Sequence, residues 1–208
     1  MIKWLENIWY YYKGYILAFL FAIVVLVISI AQCASKPQYD YKIVVAVKNS
    51  VIFDEQLDLI VDELSKYGED INQDGEIKIG YINCTFDEKR NDPNYVITMR
   101  QKLQITAMGD ASALLYITDE DTFNYIEKTV DVNNGFFVNT GLPLKNGKAY
   151  TLSNIEFFKD LAQYENIPKE LYISKRMVKG TIIEKDADIK KYETNATNLL
   201  NSILNDKK

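Results

Sequence analysis

The chain contains no histidine, so a Ser-His-Asp triad, a Cys-His dyad and every imidazole-ligated metal site are excluded. It contains only two cysteines. Cys33 falls at the end of a long apolar run and Cys84 inside a strand-like run, an awkward geometry for a mutual disulfide, so both read as free thiols. An excess of positive charge is also lacking: the net charge is -5 and the pI near 4.9, which argues against a nucleic-acid partner. Internal repeats and low-complexity tracts are absent too.

What is present begins with Tyr15 to Ala34, YILAFLFAIVVLVISIAQCA. At 1.5 Å per residue this uncharged stretch spans about 30 Å, the hydrocarbon thickness of a bilayer. Twelve of its positions between Ile16 and Ile30 are Leu, Ile, Phe or Val, and together they favour insertion by about 4 to 7 kcal/mol before Gln32 subtracts. The segment therefore reads as one membrane-spanning helix. Residues 30 to 33 (IAQC) resemble a bacterial lipoprotein cleavage box, with Gln32 where a small residue is wanted; an uncleaved signal anchor is the reading adopted. Upstream, residues 1–14 carry Trp4, Trp9, Tyr10, Tyr11 and Tyr12, rings that collect at headgroup level, and their helical period suits a juxtamembrane segment lying along the membrane surface. The Lys3 and Lys13 bias favours a cytoplasmic N-terminus, hence a single-pass cell-membrane protein with its domain outside.

Residues 35–40 read as a spacer and 41–208 as one extracytoplasmic domain, long enough to bury a sizeable core. Lys42 to Lys48 (KIVVAVK) is a β-branched run fit for a buried strand. Asp54 is positioned to cap a helix with Leu57, Ile60, Val61 and Leu64 at helical spacing, stopped by Gly68. A strand follows at 77–84. Asp92 and Pro93 open a second helix with Val96, Met99, Leu103 and Ala107 on one face, and 113–117 is a third strand. Strand, helix, strand, helix, strand is the order of parallel strands with helical crossovers, so the expected fold is α/β: one three-layer domain with a mostly parallel sheet. A helix at 119–128, short strands at 136–138 and 149–152, a helix capped by Ser153, strands at 171–174 and 181–183, and an amphipathic helix at 186–205 complete the reading.

Asp70-Ile71-Asn72-Gln73-Asp74-Gly75-Glu76 carries alternating oxygen side chains and a sixth-position glycine, as in the first half of a calcium loop. Asp70, Asn72, Asp74 and Glu76 are thus candidate ligands, and calcium is the one ion considered; otherwise no cofactor is expected. The twelfth position is Tyr81, not a bidentate acid, so half the cage is missing. The same residues suit a hydrophilic turn in which Asp and Asn satisfy their own backbone and Gly75 takes a positive φ. The cluster Asp119-Glu120-Asp121 is better explained by the helix dipole than by catalysis.

Met108-Gly109-Asp110-Ala111-Ser112-Ala113-Leu114-Leu115 resembles the helix-to-strand passage of extracellular solute-binding proteins. With the α/β order over residues 41 to 125, the chain resembles small membrane-anchored, single-lobe relatives of those proteins in Gram-positive bacteria. The resemblance implies a non-enzymatic, extracytoplasmic binding or accessory domain whose partner is a small solute or a membrane protein complex, besides the lipid bilayer itself. The rival is a cell-surface enzyme using carboxylate acid/base chemistry. In parallel α/β sheets, ligands bind beyond the C-terminal strand ends at the switch in strand order. Asn49, Ser50, Thr85, Asp87, Thr118 and Asp119 occupy the loops there and are the candidate ligand-binding residues.

Overall fold

The computed structural model describes residues 2–34, 39–129 and 135–205, with side chains for 9–29, 39–128 and 135–205. The Cys33 side chain and the spacer residues 35–38, on which the lipidation and spacer readings rest, lie outside that description. The chain forms two compact units, residues 1–38 and 39–208.

The first unit is one helix, α1 (Ile2–Ala34). It continues through Gly14, so no turn separates the aromatic segment from the apolar run. Its stretch Trp9–Ser29 has a mean hydropathy of 2.2 with none of its residues buried, and is long and apolar enough to cross a membrane.

The second unit is built on a five-stranded sheet in the order β3-β1-β5-β7-β6. The strands are β1 (Tyr41–Ala46), β3 (Ile79–Asn83), β5 (Leu115–Thr118), β6 (Ala149–Thr151) and β7 (Tyr172–Lys175). A two-stranded ribbon pairs β2 (Asn49–Ser50) with β4 (Phe86–Asp87). β1 is parallel to both β3 and β5, in the registers Val45↔Asn83 and Ala46↔Thr118. β7 is antiparallel to β5 and to β6. The sheet is therefore mixed rather than mostly parallel. The parallel half is where helical crossovers intervene; beyond residue 135 the strands are three or four residues long, too short for a period to reveal their direction.

Alternation along β1 sorts the two faces. Ile43, Val45 and Val47 pack with α2 (Asp54–Ser65), α5 (Glu156–Leu161) and α6 (Ile189–Asn205), whereas Val44 and Ala46 pack with α3 (Pro93–Gly109) and α4 (Glu120–Thr129). This is the three-layer arrangement expected. All five of these side chains are fully buried, and each large one contributes about 1.5 to 3 kcal/mol by leaving water. On the second face Tyr116, Phe123, Phe136 and Phe137 form an aromatic group, with Phe123 stacked on Phe137 at 4.8 Å. Cys84 is a buried free thiol, pushed up to about 11 by burial against the opposing charge of Lys102.

Helix ends follow local chemistry in part. The Asp92 carboxylate accepts the Asn94 N–H at 2.8 Å, and Pro93 opens α3. α2 instead begins after Phe53, whose N–H donates to Gln56 Oε1 at 3.1 Å, so Asp54 lies inside the helix rather than capping it. Ser153 does not cap α5 but sits in a 3-10 turn (152–154) where its own N–H bonds Thr151. Residues 182–185 likewise form a 3-10 turn, not a strand. Phe137 contributes a single bridge to Arg176.

Candidate functional site

β1 ends in the ribbon strand β2 and then α2, which leads to β3 on one side; β3 leads through α3 to β5 on the other side of β1. The connections from β1 and β5 therefore diverge, leaving a crevice beyond their C-terminal ends. A cleft of about 630 Å³ lies there. Asn49, Ser50, Asp87 and Asp119 line it. Asn49 and Asp87 are cross-strand neighbours in the β2–β4 ribbon. Asn49 Nδ2 also donates to Asp121 Oδ2 at 2.6 Å, which ties the ribbon to the first turn of α4.

Thr85 and Thr118 do not reach the cleft. Both are fully buried. Thr85 Oγ1 accepts the Ile52 N–H at 3.2 Å and donates to Asn83 Oδ1 at 2.7 Å, bracing the loop from beneath. Thr118 is still within β5, and its hydroxyl has no hydrogen-bond partner among the described residues.

The opposite wall is the loop Glu165 to Pro168, which lies far along the chain from the other lining residues. Asn166 fixes it: its amide pairs reciprocally with that of Gln56 at 2.6 and 3.1 Å, and its Nδ2 lies 2.9 Å from the Val51 carbonyl. Ser50 Oγ donates to the Asn166 carbonyl. No pattern in residues 165–168 signals this, because the bonds join segments more than a hundred residues apart; the Asn166 amide is an ordinary loop residue until α2 stands beside it.

The electrostatics of the lining are acidic. Asp87, Asp119 and Glu165 face the cleft with Arg90 as the cation. Asp87 Oδ1 accepts the N–H groups of Lys89 and Arg90 at 2.9 and 3.2 Å, and Arg90 Nε lies 3.7 Å from Oδ2. Asp119 is 8% exposed and accepts the Thr122 N–H at 2.8 Å. Burial pushes its carboxyl above the usual range, opposed by hydrogen bonds from Thr122 and the Lys48 backbone and assisted by the charge of Asp121. Asn49, Asn91, the exposed Phe53 ring and Pro168 complete the polar and apolar parts of the wall. Such a set can hydrogen-bond hydroxyls, amides or an amine, and offers a ring for an apolar face.

The calcium-loop candidates lie elsewhere, between α2 and β3. Asp70 accepts the Gln73 and Gly75 N–H groups at 2.7 and 2.9 Å, Asn72 Oδ1 accepts that of Asp74 at 2.9 Å, and Asp74 Oδ1 accepts that of Glu76 at 3.0 Å. Lys78 Nζ sits between Asp74 and Glu76 at 3.1 and 2.8 Å. The Glu76 N–H and then Lys78 hold the Asp74 carboxyl below its ordinary value. Gln73 and Gly75 have φ of 61° and 89°. Among the described residues no group of three or more His, Cys, Asp or Glu side chains is arranged to hold a metal ion.

Comparison with protein-family models, curated proteins and solved structures returned no match.

Proposed function

We propose that this protein is a membrane-anchored, extracytoplasmic binding domain without catalytic activity, and that the cleft beyond β1 and β5 takes a small polar solute. The observation that carries this reading is the convergence of Asn49, Ser50, Asp87 and Asp119 on one cleft at the switch in strand order. The pinned Asn166 loop supports it as well, because a wall held by long-range hydrogen bonds is preorganised and loses little freedom when a ligand is bound. The resemblance to single-lobe solute-binding relatives points the same way. A thermal-shift screen of the full chain against neutral, amine-bearing and polyhydroxylated solutes tests it. A ligand that raises the melting temperature should lose that effect in Asn49→Ala and Glu165→Ala; retention in both would remove the cleft from consideration.

The anchor reading assigns the N-terminus to the cytoplasm and residues 39–208 to the outside. Protease added to intact protoplasts should then digest the domain, and its full protection would reverse the orientation.

Acid/base catalysis is a second reading, favoured by the raised Asp119 carboxyl beside Asp87 and Glu165. Proton transfer benefits from a carboxyl tuned toward neutrality. A substrate whose turnover vanishes in Asp119→Asn while binding persists would establish it.

A further inference from the structure

Arg176, the residue after β7, is 2% exposed. Nη1 donates to the Asp110 carbonyl at 3.1 Å and Nη2 to that of Met108 at 3.3 Å, so the guanidinium closes the C-terminal end of α3. The Phe136 ring covers it at 5.3 Å. Those partners are dipoles and a π face. Asp110 and the Tyr116 hydroxyl lie close enough to favour its charge, but the Asp110 carboxylate is itself engaged by Lys42 at 3.0 Å, and among the described residues Nε has no hydrogen-bond partner of good geometry. Among the described residues no carboxylate forms an ion pair with this cation. Burial still outweighs these partners and disfavours the charge, so an added anion would stabilise it.

The same arginine lines a cavity of about 230 Å³ whose other walls include Ala107, Met108, Phe136 and Ile182. That space equals about eight waters by their share of liquid volume. Its rim is apolar and open to solvent: Met108 is 62% exposed and Ile182 73%, and Ile105, one turn back on α3, is 72% exposed. A cation at the inner end with an apolar mouth matches a molecule that has an anionic head and a short hydrocarbon tail. A neutral apolar molecule would leave the cation as it is, and a free inorganic anion would leave the rim uncovered.

We propose that this cavity is a binding site for a short-chain carboxylate, its head on the Arg176 guanidinium and its tail against Met108, Phe136 and Ile182. The site is separate from the cleft at Asn49 and stands or falls independently of it.

The test uses the full chain in lipid nanodiscs with 13C-labelled methionine methyls, titrated with hexanoate, hexan-1-ol and hexyl phosphate. The Met108 methyl should shift and saturate with hexanoate while Met99, elsewhere on α3, stays still. Hexan-1-ol should bind at least about tenfold more weakly, the worth of one charge-assisted hydrogen bond. Arg176→Gln should abolish that preference. Should that variant fail to fold, the exposed Ile182→Glu, which places a like charge at the mouth, should weaken hexanoate about tenfold while leaving the spectrum otherwise native. A motionless Met108, equal affinity for the alcohol and the acid, a preference that survives both variants, or binding of hexyl phosphate in place of hexanoate would each overturn the assignment.

Discussion

In the turn between α2 and β3, Asp70, Asn72 and Asp74 spend their oxygens on neighbouring N–H groups and Lys78; in the cleft, Asn49, Glu165 and Asp119 line open space, although Asn49 also bonds Asp121 and Asp119 accepts the Thr122 N–H. Composition is nearly the same in both places. The difference lies in which backbone lies within reach. A loop of αL and tight turns surrounds its own side chains with unpaired N–H groups, and short Asp and Asn side chains satisfy them first. The segments beyond the parallel strands pair in the β2–β4 ribbon or open a helix, so part of their backbone is already bonded and some side-chain atoms remain for other use.

The largest effect expected lies under the turn. Asp40 is 7% exposed and accepts the N–H groups of Ile71, Asn72 and Lys78 at 2.9, 3.0 and 2.8 Å. Asp40→Ala should reduce stability by about 3 kcal/mol in urea unfolding, since three backbone donors lose one shared acceptor. An unchanged midpoint would mean that the turn is held by other contacts.

Asp87 should fall between the two regions, because it both lines the cleft and caps its own loop. Asp87→Ala should cost about 1 kcal/mol through the freed Lys89 and Arg90 N–H groups. Its melting temperature is therefore a poor reporter of ligand contact, and Asn49→Ala is the cleaner probe. Asn49 is exposed, and its loss should move stability by no more than about 0.5 kcal/mol while removing any ligand-induced shift.

Calcium sharpens the comparison from the other side. With its oxygens engaged by N–H groups, the turn should show no rise in melting temperature at millimolar calcium. A rise abolished by Asp74→Ala would reassign Asp70, Asn72, Asp74 and Glu76 as ligands.

The smallest effect is in pH dependence, and its sign separates two acids. Asp119 has a folded-state value raised by burial. Its contribution is therefore full below the unfolded carboxylate range and is lost as pH rises through the elevated value. Asp119→Asn should gain most relative to the parent near neutrality, and the gap should close on acidification. Asp110 is the opposite: burial raises its carboxyl, but the Ser112 hydrogen bond and Lys42 outweigh it and hold it below the ordinary value. Its contribution is present above the unfolded range and disappears as pH falls, so Asp110→Asn should be most destabilising near neutrality. Parallel slopes for the two variants would contradict both assignments.

Much of the fold was legible where residue type acts over a few neighbours. The β-branched run at β1, the periodic faces of α2, α3 and α6, and the Asp92-Pro93 helix start all express contacts within a turn or a pleat. Phe53 and Ser153 show where that reach ends: a residue of capping type lay nearby in each case, yet neighbouring bonds from Gln56 and Thr151 moved the boundary. The direction of β7 depends on which strand it meets, and four-residue strands carry no mark of it.

Sequence alone determined the apolar helix, the α/β alternation and the placement of Asn49, Ser50, Asp87 and Asp119 after strands, because hydrophobic period and turn chemistry are local properties. Tertiary structure decided the mixed sheet, the burial of Thr85 and Thr118, the Asn166 wall and the buried charge of Arg176. Each of these arises from atoms distant along the chain brought within a few ångströms, where desolvation and hydrogen-bond geometry rather than residue type decide what a side chain does.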